Sequence, residues 1–439
     1  MLVVISDLHF VDGTAGKHDL RPAAFEDVFL CDIMALAKQN GAKEIKLLLL
    51  GDIVDLLRTT QWFAVDMADR PWGDHGLGDW EHFDPGTGSA TERCCRKILG
   101  DIITRNQATF ELFKGFKERL APLPVELIYV PGNHDRLVNC YPTLRDRMKE
   151  ELGLTVTGST VDGDPNGNDW RYRNFCALPE YGVFARHGHE FDRFNYAGNG
   201  KDDTKGHLKL SIGDVITTEI VAQLANLLKQ KLQSLPPGAS DEILPVIYDI
   251  DNIRPWTSIL GFLVTKFKNN ALGWKAVGEA IETIAGNLDK IRFAREWGWS
   301  HSLSELFGPW KRIEDFLKKG AAAAPSEDGY ADDARDDLVL LHADKGFRFI
   351  LYGHTHEPRQ IPLDHDSVTR TDSIYINTGT WRPRIVKVDG PDEEYVNLKT
   401  MTYAVFYRED EDPAHKEAGT VSFDVWTGWE SKRYSGEYA

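Results

Sequence analysis

The 439-residue chain has only five cysteines, and no two of them form a C-x-x-C pair. An odd number of thiols spread through a long chain builds neither a disulfide framework nor a thiolate metal site. Cys31, Cys94, Cys95, Cys140 and Cys176 therefore read as reduced thiols. Positive charge is also short: 51 Lys and Arg stand against 68 Asp and Glu, a formal net charge of −17. Such a field disfavours non-specific nucleic-acid binding and gives nothing to a polybasic membrane contact, so no stable nucleic-acid partner is expected. A phosphoester substrate remains compatible where metal ions supply positive charge locally. Long apolar runs are missing too. The stretch 259–264 is far too short to cross a bilayer, and no basic and apolar leader stands before the opening strand-like residues. These absences predict a cytoplasmic protein with no membrane span.

What is present is a set of strand-like runs that end in ligand chemistry. Residues 2–5 lead into Ser6-Asp7-Leu8-His9. On an extended segment Asp7 and His9 would share a side, so one cation could take both. A helix is predicted over about 23–39, with Phe25, Val28, Phe29, Ile33, Leu36 and Ala37 at helical spacing and a stop at Gly41. The continuous apolar run 45–50 reads as a strand buried on both faces and leads into Gly51-Asp52-Ile53-Val54-Asp55. Strand, helix, strand with a ligand-type residue at each carboxyl end is how open α/β sheets hold their sites. The run 125–130 leads into Pro131-Gly132-Asn133-His134-Asp135. The run 182–186 leads into His187-Gly188-His189-Glu190, where either imidazole could bind a metal; Glu190 and Asp192 read as outer partners or solvated carboxylates. The run 347–352 leads into Gly353-His354-Thr355-His356, and 373–376 precedes Asn377-Thr378-Gly379-Thr380-Trp381. Residues 402–407 and 420–426 read as closing strands.

Between these runs the character changes. Residues 70–92 read as a long irregular loop that either lines the site or is a surface insertion, followed by a helix over about 91–120. Segments 215–232, 256–267, 273–297 and 302–318 have helical periodicity and carry Trp256, Trp274, Trp297, Trp299 and Trp310. Aromatics at helical spacing are core more often than ligand contacts. Residues 321–337, alanine-rich and then acidic, read as a flexible linker. The expected organisation is a core from residues 1–195, a helical insertion or cap with its linker at 196–337, and the rest of the core at 338–439.

Five runs thus end at Asp7/His9, Asp52, Asn133/His134, His187 and His354/His356. Carboxylates, one amide and imidazoles without thiolate suit Mn²⁺, Fe or Zn²⁺. There are too many ligands for one ion, so two divalent ions sharing Asp52 are the economical solution. Two ions about 3.5–4 Å apart lower the pKa of a held water toward about 7 and neutralise charge on a reacting phosphoryl group. A separate acid must then protonate the leaving oxygen. His134 is the candidate, with Asp135 placed to orient it or raise its pKa.

In this order, Asp7-x-His9, Gly51-Asp52-x-x-Asp55, Gly132-Asn133-His134-Asp135, His187-Gly188 and Gly353-His354-x-His356 resemble the calcineurin-like metallophosphoesterase family. The motifs span about the first 190 residues and residues 347–381; the helical middle is not covered. The resemblance implies an α/β fold, a four-layer α/β/β/α metallophosphoesterase sandwich, here with a large helical insertion. It implies that Asp7, His9, Asp52 and His356 hold one metal, that Asp52, Asn133, His187 and His354 hold the other, and that His134 is the general acid. The family's Ser/Thr phosphatases open with Gly-Asp-x-His-Gly, have Gly-Asn-His-Glu in the middle block and Arg-Gly after the second block. Here Ser6, Phe10, Asp135 and Leu56-Leu57-Arg58 depart from that pattern. The chain is more similar to the bacterial phosphodiesterase and nucleotide-pyrophosphatase branch, which includes UDP-diacylglucosamine hydrolases with a helical insertion over the site.

The function this predicts is dimetal-dependent hydrolysis of a phosphodiester or pyrophosphate bond in a small substrate, by attack of a metal-bound hydroxide. Arg58, Arg382 and Arg384 are the expected substrate contacts, Arg382 and Arg384 being equally readable as surface charges at a strand end. The alternatives are a nuclease on DNA or RNA and a non-catalytic scaffold. A nuclease needs a basic track, for which motif position offers Arg58, Arg136, Arg382 and Arg384. A scaffold would have lost ligands or the acid histidine. Oligomeric state is not legible.

Overall fold

Runs of mostly apolar side chains form the inner strands, because both faces of such a strand must be covered. The computed structural model describes the chain apart from residues 18–19, 74, 78–85, 199–204, 234–242, 300–307, 343–345, 367–370, 389–393, 415–419 and 430–439. Parts of the expected 70–92 loop and of the 302–318 helix therefore lie outside the described residues. The chain is mixed α/β with several sheets. In chain order the strands begin β1 Leu2–Ile5, β2 Ile45–Leu50, β3 Val125–Val130, β4 Val161–Asp162, β5 Arg171–Tyr172, β6 Phe175–Leu178 and β7 Val183–Arg186. After the helical middle come β8 Ile253–Arg254, β9 Phe349–Tyr352, β10 Arg359–Asp366, β11 Thr371–Asn377, β12 Arg384–Lys387, β13 Tyr395–Leu398, β14 Thr400–Tyr407 and β15 Ser422–Trp429.

One five-stranded sheet has the order β15-β14-β1-β2-β3, and the second has the order β10-β11-β9-β7-β6. β1, β2 and β3 run parallel, with Val4 beside Leu48 and Leu48 beside Ile128. In the second sheet β7, β9 and β11 are the parallel strands. The two sheets share one apolar core, in which Leu2, Val4, Leu50 and Val130 from the first meet Val183, Ala185, Leu351 and Ile376 from the second. The other face of the first sheet, through Val3, Leu47, Leu49 and Leu127, packs on helices that include Phe25, Phe29, Ile98 and Ile102. The insertion is part of this same cluster, contributing Ile212, Ile216, Leu263, Ile284 and Phe316. It also joins the core by hydrogen bonds, since β8 pairs in parallel with β12.

One expectation is corrected. The stretch read as a flexible linker is largely a helix, Glu327–His342, which also crosses the expected boundary at residue 338. Its Tyr330, Ala331, Ala334 and Leu338 are buried at helical spacing against Ile350, Tyr352 and Tyr375 of the second sheet. Asp337 anchors it, accepting from the Tyr352 hydroxyl at 2.7 Å and pairing with Arg186 at 3.0 Å. The helix expected over 91–120 is broken into Ala90–Arg105, Gln107–Lys114 and Phe116–Arg119. Among the described residues no helix is long and apolar enough to cross a membrane.

Candidate metal centre

The expected ligands follow the carboxyl ends of β1, β2, β3, β7 and β9, which the parallel pairing places side by side. Their backbone is unusual. Asp7, His9, Asp52, His354 and His356 all have positive φ, between 47° and 69°, a region that costs a side-chain-bearing residue about 1 kcal/mol or more. Asp412 alone among the other described non-glycine residues shares it. The expectation that Asp7 and His9 converge by extended-strand alternation is therefore corrected: β1 ends at Ile5, and left-handed turns aim both side chains. Their N–H groups are held across to the next strand end, Asp7 N to the Gly51 carbonyl at 3.0 Å and His9 N to that of Asp52 at 2.8 Å. Glycine is required beside them. A Cβ on Gly51 would lie 2.2 Å from the His187 ring, and one on Gly132 would lie 2.2 Å from Asp52 Oδ1.

Asp7, His9, Asp52 and His356 form one group of donor atoms lying within 4.8 Å of one another, and Asp52, His187 and His354 form another. In the first, His9 Nε2 is 2.9 Å from His356 Nε2, 3.6 Å from Asp52 Oδ2 and 3.7 Å from Asp7 Oδ1, while His356 Nε2 is 3.3 Å from Asp7 Oδ1. Ligand atoms about 2.0–2.2 Å from one ion stand roughly 2.8–3.6 Å apart, so this spacing is close to that of a coordination shell. In the second, His187 Nε2 is 3.3 Å from Asp52 Oδ2, and Asn133 Oδ1 is 3.1 Å from His354 Nδ1. Asp52 belongs to both groups.

The outer partners fix which nitrogen faces inward. His187 Nδ1 donates to the Leu50 carbonyl at 2.9 Å, leaving Nε2, which has no hydrogen-bond partner of its own, aimed at Asp52. His354 Nε2 lies 3.0 Å from Asp192 Oδ2; an ionised carboxylate can only accept, so Nε2 donates and Nδ1 carries the inward lone pair. His9 Nδ1 faces Asp55 Oδ2 at 3.1 Å. Imidazole lone pairs thus converge with carboxylate oxygens in a buried space. That arrangement is repulsive without a cation and fits divalent metal. Burial opposes ionisation of Asp52, but positive charge on His187, then His134 and His9, outweighs it and holds the carboxyl well below its usual range, so the site favours positive charge beside Asp52.

His134 is buried beside this centre, its ring 4.8 Å from that of His9. Its Nδ1 is 2.9 Å from Asp55 Oδ2. Burial disfavours its charged form, but Asp55 and Asp52 outweigh it and raise its pKa. Asp135 does not serve as its partner, which corrects the expected role. The Asp135 carboxylate turns back to accept from Gly132 N at 2.6 Å and Ile53 N at 2.9 Å, tying the β3 turn to the β2 turn. Burial, then the nearby Asp52 charge, push its pKa up to about 7. Asp55 is the residue whose role the sequence reading missed, although it stands in a quoted motif. It also accepts from the backbone N–H of Leu57 and Arg58 and from Arg58 Nη1.

Of the two imidazoles after β7, His187 enters the donor groups; His189 lies behind it against Tyr196 and Glu190. The expected substrate arginines are not free cations. Arg58 is buried and engaged by Asp55 and Asp251, and Arg382 is buried and engaged by Asp251 and Asn252. Arg384 is 3.5 Å from Glu357, and Arg136 is buried on Asp214 and the His207 carbonyl. Asp251, Asn252 and the neighbouring Arg254 come from the insertion and belong to no motif. No protein-family model matches the chain, and a search of curated proteins returns no match, so its reading rests on the geometry of this centre.

Proposed function

We propose that the chain is a dimetal phosphoesterase of the calcineurin-like kind, built as a four-layer α/β/β/α sandwich with a helical insertion, that hydrolyses a phosphodiester or pyrophosphate bond in a small substrate. The observation that carries this reading is the convergence of seven donor residues, five of them on left-handed backbone, around the shared Asp52 with His134 beside them. Asp7, His9, Asp52 and His356 would hold one ion, and Asp52, Asn133, His187 and His354 the other. Mn²⁺, Fe or Zn²⁺ bound there would supply an activated water and Lewis acidity toward phosphoryl oxygens.

The chain's own groups do the rest. Asp55 holds His134 through Nδ1, which leaves Nε2–H to protonate the leaving oxygen. Asp55 and then Asp52 raise the His134 pKa against the effect of burial and so favour its protonated form. Asp55 also orients His9, so one carboxylate aligns a ligand and the acid together. Asp192 does the same for His354. The test is turnover of bis-p-nitrophenyl phosphate by the Mn²⁺-reconstituted protein, together with loss in His134→Ala, while both metals remain bound, of turnover of an alkyl phosphodiester whose leaving oxygen needs a proton. Full activity in that variant would remove His134 from the mechanism, and no turnover with two metals bound would defeat the reading.

A further inference from the structure

One approach of the insertion to the metal centre is a 3₁₀ turn Ile250–Asn252 followed by β8. Asp251 sits there between two core arginines. Its Oδ2 is 2.8 Å from Arg382 Nη2 and also contacts Arg58 Nη2. Its carbonyl oxygen accepts from Arg254 Nη1 at 3.0 Å and from Arg382 Nη2. Three guanidinium groups therefore gather on one residue. The carboxylates that pair with them are Asp251 and Asp55, and Asp55 is already shared with His9 and His134.

Arg254 is the surplus cation. Among the described residues it makes no ion pair; Nη1 donates to the Asp251 and Ile253 carbonyls, and the guanidinium lies 5.4 Å from the Trp256 ring. Buried Arg382 keeps Nη1 without a hydrogen-bond partner. Burial and then the adjacent Arg382 charge press against ionisation of Arg254 and hold its pKa well below the arginine range. The Arg254 charge also acts on His356, one of the donor residues. Crowded guanidinium groups with an unused donor are costly alone and are relieved by an anion that arginine can grip in two places.

We propose that Arg254, together with Arg382, forms a second anion subsite that receives a phosphoryl group next to the scissile one, so that the favoured substrates are pyrophosphate diesters. This rests on the dimetal phosphoesterase reading and narrows it. The insertion then selects substrate by supplying charge at the site.

The experiment compares wild type with Arg254→Gln and Arg254→Ala as full-length, Mn²⁺-loaded proteins of matched metal content and melting temperature. Each is titrated calorimetrically with methylphosphonate and with methylenediphosphonate. Wild type is expected to prefer the diphosphonate by at least about tenfold, and both variants to lose about tenfold of that affinity while methylphosphonate binding stays within about threefold. No preference in wild type, or an unchanged preference in both variants, would overturn the subsite. Hydrolysis of bis-p-nitrophenyl phosphate by the same wild-type sample is scored separately. Its absence would defeat the hydrolase reading, while the diphosphonate preference would still decide for or against Arg254.

Discussion

Replacing Asp55 by Asn isolates what one buried carboxylate does for the proposed acid, His134, and for the proposed metal centre. Asp55 Oδ2 lies 2.9 Å from His134 Nδ1 and 3.1 Å from His9 Nδ1. Asn has nearly the same volume, so the change is one of charge and of which atom can accept. On the acid side, general acid catalysis is worth about 10²–10⁴-fold, and most of it depends on a correctly held imidazole. A loss of about 100-fold, or about 2.7 kcal/mol of transition-state stabilisation, is expected for an alkyl phosphodiester, whose leaving oxygen needs a proton. For bis-p-nitrophenyl phosphate, whose leaving group departs as a stable anion, less than about tenfold is expected. On the metal side, loss of such an outer partner weakens binding by about 10–100-fold, so both esters must be assayed at saturating Mn²⁺ with metal content measured. The pH profile gives an independent readout. Burial lowers the His134 pKa while Asp55 and Asp52 raise it, so removing the Asp55 charge lowers it. The acid then loses its proton at lower pH, and the basic limb of kcat/KM moves toward acid. Equal losses on the two esters with an unmoved basic limb would refute the assignment of Asp55 as the residue that holds the acid.

Three further outcomes are expected. Gly51→Ala places a methyl group 2.2 Å from the His187 ring at a residue with φ of +82°, so metal analysis should find the ion shared by Asp52, Asn133, His187 and His354 depleted while the fold, followed by circular dichroism, persists; full occupancy of both ions would contradict it. Burial pushes the Asp249 carboxyl up to about 6, against a small opposing effect of Lys266, so ionising it opposes folding. Its stabilising contribution is present below about pH 4 and is lost as pH rises through 6, so Asp249→Asn should add about 1–2 kcal/mol at pH 8, after allowing for partial exposure, and almost nothing at pH 4; an equal shift at both pH values in denaturant titrations would rule out this linkage. Asp337→Ala leaves buried Arg186 without its carboxylate and removes the acceptor of the Tyr352 hydroxyl, which should cost about 3 kcal/mol and open the helix Glu327–His342 to proteolysis; an unaltered digestion pattern would argue against that anchor.

The strands were the most legible part of the chain. Residues 45–50 and 125–130 are apolar runs apart from Lys46 and Glu126, with Gly51 and Gly132 close behind, and they are β2 and β3. Partners distant in the chain were harder to read. Asp135 adjoins His134 in sequence, yet the tight turn after β3 points its carboxylate at Gly132 N and Ile53 N, while Asp55, 79 residues away, meets the imidazole. Nothing local marks that pairing. The helix Glu327–His342 was hidden by its acidic surface, which masked the buried face of Tyr330, Ala331, Ala334 and Leu338. Arg254 carries no motif at all; the pairing of β8 with β12 fixes its place beside the core.

That the first strand is enclosed by one of the last has a consequence during synthesis. β1 has β2 on one side and, on the other, β14, which begins only at Thr400. A nascent chain emerging from the ribosome at about 5–20 residues per second would hold that edge open for tens of seconds. Through that interval Leu2, Val3 and Val4 are an unpaired apolar edge of the kind that recruits other chains. Asp7 and His9 likewise wait for His354 and His356. Metal supplied early would meet five of the seven donor residues but neither group complete, each lacking one late histidine.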